Sequence, residues 1–90
     1  MTLRILVVDD DRDFATGMAD VVTLSGHTVS MAATSAEALR RLTREPFDLA
    51  FLDVKLPDRN GAELFEEAMK IRPNMKAVMM TAYQLDPLVE

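Results

Sequence analysis

Three aspartates stand directly after short apolar segments, where a carboxylate is well placed to take part in chemistry. Asp9 and Asp10 follow the segment 3–8, and Asp53 follows the segment 49–52. Both segments have the length and apolar character of strands that are covered on both faces of a parallel sheet. The carboxyl ends of such strands form the edge at which open α/β proteins bind ligands. The three carboxylates are therefore candidates for one common site.

Carboxylates at neighbouring strand ends would form a site for a divalent cation. Adjacent strands lie about 4.8 Å apart, so their terminal side chains converge if the two strands are neighbours. The negative charges repel one another, and at least one carboxylate would keep its proton unless a cation lay between them. Mg²⁺ takes carboxylate, water and phosphate oxygens as ligands, and a carboxylate beside it can accept a phosphoryl group. The pattern predicts Mg²⁺ binding and phosphoryl transfer.

A hydroxyl group follows a further apolar segment, 75–80, in the position equivalent to the aspartates. Thr81 would there donate a hydrogen bond to the oxygens of a phosphoryl group. A structural alternative exists for both Asp53 and Thr81, because Asp is common where strands end and Thr is a frequent helix cap. Neither Asp53 nor Thr81 by itself distinguishes a functional site from a structural cap. Their occurrence together with Asp9 and Asp10 at equivalent strand ends favours a functional site.

Strands and helices alternate along the chain. Thr34 with Glu37, and Asn60 with Glu63, have the spacing of a helix cap and its reciprocal partner. We predict strands at 3–8, 28–31, 48–52 and 75–80, and helices at about 14–24, 36–44 and 61–71. This alternation indicates an α/β fold in which a doubly wound parallel sheet has right-handed crossovers.

The composition of the chain argues against several classes of function. The chain has 90 residues, no cysteine and a net charge of −5, so we expect one domain, 1–90, without a disulfide or a thiolate metal site. The acidic balance argues against direct nucleic-acid binding, and no apolar segment approaches the ~18 residues of a membrane span. We expect a soluble, cytoplasmic protein. A glycine-rich phosphate loop is absent, which argues against nucleotide binding.

The sequence resembles the receiver domain of two-component response regulators. The resemblance covers nearly the whole chain and lies in three motifs, at 5–11, 53–61 and 79–83. It implies a flavodoxin-like sheet with strand order 2-1-3-4. Receivers also have a fifth strand that ends in a lysine, and we expect this strand to be absent from the chain. A shortened fragment, a natural short form and a receiver-like domain that carries no phosphate would each explain its absence.

The resemblance also implies a role for each site residue. Asp53 would accept a phosphoryl group from a phosphohistidine. Asp10 would bind Mg²⁺ directly, Asp9 would bind it through water, and the backbone carbonyl of Lys55 would supply a further ligand. The switch residue would be Thr81. Lys55 and Tyr83 correspond to the positions at which receivers tune the rate of phosphoryl hydrolysis.

The partners implied are a histidine kinase or a histidine phosphotransfer protein, and a downstream output domain or protein. The domain would be a signalling module rather than an enzyme, with self-catalysed phosphotransfer and dephosphorylation at most. Without a fifth strand, the fourth strand would be an apolar sheet edge. We therefore expect the chain either to be unstable alone or to form a homodimer through that edge and the tail 85–90.

Two other functions remain open from the sequence. A receiver-like interaction module would keep the fold and never carry phosphate. An aspartyl-nucleophile phosphohydrolase of the haloacid-dehalogenase type would use Mg²⁺ and an Asp-x-Asp-x-Thr/Val motif. The segment 9–13 supplies two acids but has Asp13 where Thr or Val is required, which disfavours the second alternative.

Overall fold

The computed structural model describes residues 1–80, which form a parallel sheet with helices on both of its faces. The four strands are β1 (Arg4–Val8), β2 (Thr28–Ala32), β3 (Leu49–Asp53) and β4 (Lys76–Met80). The three helices are α1 (Arg12–Leu24), α2 (Ser35–Arg44) and α3 (Gly61–Ile71). The predicted alternation of strands and helices is confirmed, and no boundary moves by more than two residues.

The sheet has the order β2-β1-β3-β4, and every strand pair is parallel. Val8 of β1 lies beside Leu52 of β3 on one side and beside Ala32 of β2 on the other. The predicted flavodoxin-like order 2-1-3-4 is therefore confirmed. This register brings the carboxyl ends of β1 and β3 to the same level, so the residues that follow them are neighbours.

The two faces of the sheet carry separate hydrophobic cores. Helices α2 and α3 pack on one face, and α1 packs on the other, against β1 and β2. Strand β1 is buried as predicted, with residues 5–8 at most 2% exposed. In β3 the prediction holds for only one face, because Ala50 and Leu52 are buried whereas Leu49 and Phe51 are half-buried. Leu6 and Val8 face the core under α2 and α3, and Ile5 and Val7 face the core under α1, because successive side chains of a strand point to opposite faces.

Each helix begins at a polar side chain that accepts a backbone hydrogen bond. Asp11 accepts from the amide of Phe14 at 3.1 Å, and Asn60 accepts from the amide of Glu63 at 2.9 Å. Thr34 caps α2 in the same way. Such caps satisfy amide groups that the helix leaves unpaired and so define where each helix begins. Two of these helix starts, at Asp11 and Asn60, come shortly after the site aspartates Asp9 and Asp53 in the chain.

The helices within residues 1–80 are all too short or too polar to cross a membrane.

Candidate functional site

Three carboxylates come together at the carboxyl end of the sheet. One oxygen of each of Asp9, Asp10 and Asp53 lies within 4.8 Å of the others. Asp9 and Asp53 are buried, at 7% and 3% exposed, whereas Asp10 is exposed to solvent. The convergence expected from the sequence is thus present, and the group opens to solvent on the side of Asp10.

The sheet itself fixes the two buried aspartates. Asp53 is the last residue of β3, and the next amide, that of Val54, donates to the carbonyl of Met80 at 2.9 Å. Asp9 directly follows β1, and its amide donates to the carbonyl of Ala32 at 3.0 Å. Because both backbones stay in the hydrogen-bond ladder, the carboxylates have little freedom to move apart.

Each buried carboxylate also accepts a hydrogen bond from an amide two residues ahead. The amide of Asp11 donates to Asp9 Oδ1 at 2.8 Å, and the amide of Lys55 donates to Asp53 Oδ1 at 3.1 Å. Each bond uses one oxygen and orients the side chain while leaving acceptor capacity on the other oxygen. The two loops that leave the sheet therefore hold the site side chains in place.

Burial raises the pKa of Asp9 above its ordinary range. The hydrogen bond from the Asp11 amide lowers that pKa, whereas the negative charges of Asp53 and Asp10 raise it further. A carboxyl group in this position is ionised only at an electrostatic cost, because like charges a few ångströms apart disfavour the ionised form.

The donor set fits a divalent cation. In proteins Mg²⁺ takes hard oxygen ligands, usually one or two carboxylates together with waters and phosphate oxygens. A cation among Asp9, Asp10 and Asp53 would offset the repulsion that raises the pKa of Asp9. The three residues predicted as metal ligands from their side chains are therefore the three that the structure brings together.

The segment 54–60 leads from Asp53 to α3 and is closed by backbone hydrogen bonds. The amide of Gly61 donates to the carbonyl of Val54 at 2.7 Å, and Lys55 pairs with Asn60 in an isolated antiparallel bridge. Lys55 is exposed, and its amide points to Asp53. We call residues 54–60 the acceptor loop.

Asp58, in the acceptor loop, reaches α2 and was not predicted as a site residue. Its carboxylate accepts from the amide and hydroxyl of Ser35, at 3.0 and 2.6 Å, and from the amide of Ala36 at 3.1 Å. The hydroxyl and amide of Ser35, with the amide of Ala36, lower the pKa of Asp58 to about 2. Asp58 therefore stays ionised at any pH near neutrality. The sequence carries no local signal for a contact between residues so far apart in the chain.

Two further predicted site residues, Thr81 and Tyr83, lie outside the described residues 1–80. Their predicted roles stay predictions. The prediction that the fifth strand is absent also falls outside the described residues and stays a prediction.

Two bacterial proteins are similar to this chain over nearly all of its length. A response regulator receiver protein of Anaeromyxobacter is 37% identical over 87 residues, which are 97% of this chain and 37% of the relative. The sporulation initiation phosphotransferase F of Bacillus subtilis is 34% identical over 91 residues, which span this whole chain and 73% of the relative. The chain thus spans little more than a third of the length of the first relative.

Solved structures have the same fold. A CheY-like receiver domain protein of Methanospirillum hungatei superposes with a TM-score of 0.89 at 42% identity, over 99% of this chain and 72% of that one. The response regulator TrrA of Thermotoga maritima, solved in complex with Mg²⁺ and BeF, superposes with a TM-score of 0.85 at 30% identity, over 91% and 71% of the two chains.

These similarities agree with the fold and with the acidic group at the end of β1 and β3. The family described as response regulator receiver domain matches residues 5–90, and the chain belongs to this family of two-component signalling modules.

Proposed function

We propose that the domain is the phosphoacceptor of a two-component phosphorelay and that Asp53 takes the phosphoryl group. The observation that carries this assignment is the position of Asp53. It is the last residue of a central strand, it is 3% exposed, and two further carboxylates lie within 4.8 Å of it. Such a group binds the cation that phosphoryl transfer needs, and it sits at the sheet edge where α/β proteins bind ligands. Nothing in residues 1–80 favours a phosphohydrolase or a phosphate-free interaction module.

The donor would be a phosphohistidine on a histidine kinase or a histidine phosphotransfer protein. A carboxylate oxygen of Asp53 attacks phosphorus, the bond between phosphorus and the donor nitrogen breaks, and the electron pair of that bond returns to the imidazole. The product is an acyl phosphate on Asp53 and a free histidine on the donor. The Lys55 amide donates to Oδ1 of Asp53 and thereby orients the carboxylate for this attack.

Mg²⁺ would supply charge neutralisation for the phosphoryl oxygens when it is bound. Asp10 would bind it directly, Asp9 would bind it through water, and the carbonyl of Lys55 would add a ligand. The related TrrA structure holds Mg²⁺ together with BeF, which supports the same cofactor here. Thr81 would turn towards the phosphoryl group, and Lys55 and Tyr83 would tune how long it persists.

An output domain or protein would read the phosphorylated state, and the activity of the domain itself would not exceed self-catalysed phosphotransfer and dephosphorylation. In the sheet that residues 1–80 form, β4 is an edge strand, and a second copy would be able to pair there. Val78 and Met79 of that strand are 44% and 38% exposed, which is high for apolar residues of a parallel sheet.

Incubation with Mg²⁺ and a small phosphodonor such as phosphoramidate tests the proposal. Intact mass should rise by about 80 Da in the wild type and should stay unchanged in Asp53→Asn, since an amide does not accept the group. Asp48→Asn is the matched control, because Asp48 directly precedes β3 and is half-exposed at the opposite end of the strand. Labelling that persists in Asp53→Asn, or that maps to Asp9 or Asp10, would overturn the assignment.

A further inference from the structure

The carboxylate of Asp58 joins the acceptor loop to the first turn of α2. It accepts three hydrogen bonds, from Ser35 N, Ser35 Oγ and Ala36 N, at 2.6 to 3.1 Å. Ser35 is 1% exposed, so its polar groups have little access to water as alternative partners. The contact links residues 23 positions apart in the chain.

Helix α2 already has a cap of its own. Thr34 accepts from the amide of Glu37 at 3.1 Å, and Glu37 accepts in return from the amide of Ala33 at 3.0 Å. The helix therefore begins at the predicted capping pair without help from the acceptor loop. The bonds to Asp58 add stability to the helix end, but they also constrain the loop from which Asp58 comes.

That loop is held between two helices. On its other side, Arg59 Nη1 donates to Glu67 Oε2 of α3 at 2.7 Å. Asp58 thus ties the loop to α2, and the next residue ties it to α3. Lys55, whose amide orients Asp53, and Gly61, whose amide closes the loop on Val54, flank these two contacts in the chain.

We propose that Asp58 is a positioning residue for the phosphoacceptor site, which it serves by anchoring the acceptor loop on Ser35 and Ala36 of α2. The loop so anchored keeps the amide of Lys55 on Asp53 and presents the carbonyl of Lys55 to Mg²⁺. This inference rests on the proposed function for the role of Mg²⁺, but the anchoring of the loop is independent of it. The charge of Asp58 is permanent near neutral pH, so the anchor does not open with ordinary changes of pH.

Mg²⁺ titration of Asp58→Ala against the wild type tests the positioning role. We expect the affinity to fall about tenfold or more, as is typical when a residue that orients metal ligands is removed. Asp48→Ala is the matched control, because Asp48 also accepts a backbone hydrogen bond, from Arg4 at 2.8 Å, but at the far end of the sheet. The control should keep the wild-type Mg²⁺ affinity within about twofold even if both variants lose similar stability.

A second variant addresses the anchor itself. Ser35→Ala removes the 2.6 Å hydrogen bond and keeps the backbone. It should weaken Mg²⁺ binding in the same direction as Asp58→Ala, and the double variant should bind no more weakly than Asp58→Ala alone, because both changes remove one link. Fully additive losses in the double variant would contradict a single shared link.

Amide hydrogen exchange reports the same link without any metal. In Asp58→Ala the amides of Lys55 and Gly61 should exchange faster, together with that of Ser35, whereas Asp48→Ala should leave all three unchanged. A wild type that binds no Mg²⁺ would refute the metal assignment alone, and the exchange rates would still decide the anchor. Asp58→Ala with wild-type exchange at Lys55 and wild-type Mg²⁺ affinity would overturn the positioning role and leave Asp58 as a cap of α2.

Discussion

The backbone carbonyl of Asp53 fills the space that a Cβ atom on Gly61 would need. A Cβ atom added to Gly61 would also lie 2.8 Å from Cα of Val54, which is closer than real contacts allow. Gly61 is the first residue of α3, and its amide donates to Val54 at 2.7 Å. Helix α3 can therefore begin directly against the acceptor end of β3 only because residue 61 has no side chain.

Gly61→Ala should destabilise the domain and disturb the site. Because the obstructing atoms belong to the backbone, they must shift, and we expect a loss of about 1–3 kcal/mol in the free energy of unfolding. Labelling of Asp53 by a phosphodonor should slow as well. Urea unfolding and intact mass measure the two effects. Gly17→Ala is the control, because Gly17 lies in α1 with no atom within 4 Å of the added methyl, and it should gain about 0.5–1 kcal/mol. Equal effects of the two substitutions would contradict the role of Gly61.

Asp10→Asn should weaken Mg²⁺ binding at least tenfold, and more than Asp9→Asn does. Asp10 is the exposed member of the three carboxylates, and the direct ligand that we propose it supplies would be lost when it becomes an amide. Calorimetric titration of both variants measures the difference. Asp20→Asn, on the exposed surface of α1, controls for the loss of one negative charge. Wild-type affinity in Asp10→Asn would remove the metal assignment.

Asp9→Asn should make the metal-free protein more stable near pH 7. Burial raises the pKa of Asp9, and the nearby carboxylates raise it further, so the folded state binds a proton more tightly than the unfolded state does. Stability then falls as the pH rises from the unfolded pKa of about 3.9 through the raised folded value. The advantage of the variant should therefore shrink as the pH is lowered towards about 4.

Urea unfolding in the presence of a chelator, at both pH values, measures this advantage. Mg²⁺ should reduce this advantage, because binding stabilises the wild type more than the variant. A variant that is less stable than the wild type near pH 7 without metal would show that the hydrogen bond to Asp11, rather than the charge, dominates at Asp9.

Val78→Lys should abolish self-association of the domain. Val78 is 44% exposed on β4 and lies in register with Phe51 of β3, so the exposed apolar surface continues across the strand pair. We expect the wild type to associate with rising concentration and the variant to stay monomeric, because an edge lysine opposes strand pairing. Sedimentation velocity measures both. Val21→Lys, on the exposed surface of α1, is the control. A wild type that stays monomeric throughout would contradict association through this edge.

The acidic site was largely predictable because its parts are local. A continuous apolar segment that ends on a carboxylate predicts a buried strand with a polar end, and Asp9 and Asp53 lie at such ends in the structure. The caps at Thr34 and Asn60 were predictable for the same reason, since the contacts they make lie three residues ahead. Each pattern depends on residues that are neighbours in the chain.

The pairing of β1 with β3 could not be predicted from the residues alone, since the apolar segments do not indicate which strands are adjacent. The parallel register of Val8 with Leu52 converts two separate acidic ends into one group. The need for glycine at position 61 was equally invisible, because it arises from the approach of α3 to a carbonyl eight residues earlier.

The sequence by itself determined which segments become strands and helices and which of them end on carboxylates, because apolar periodicity and capping act over a few residues. Only the tertiary structure decided that Asp58 bonds to Ser35 across 23 residues. That contact depends on the packing of α2 beside the acceptor loop, which follows from strand order and crossover handedness rather than from any local pattern.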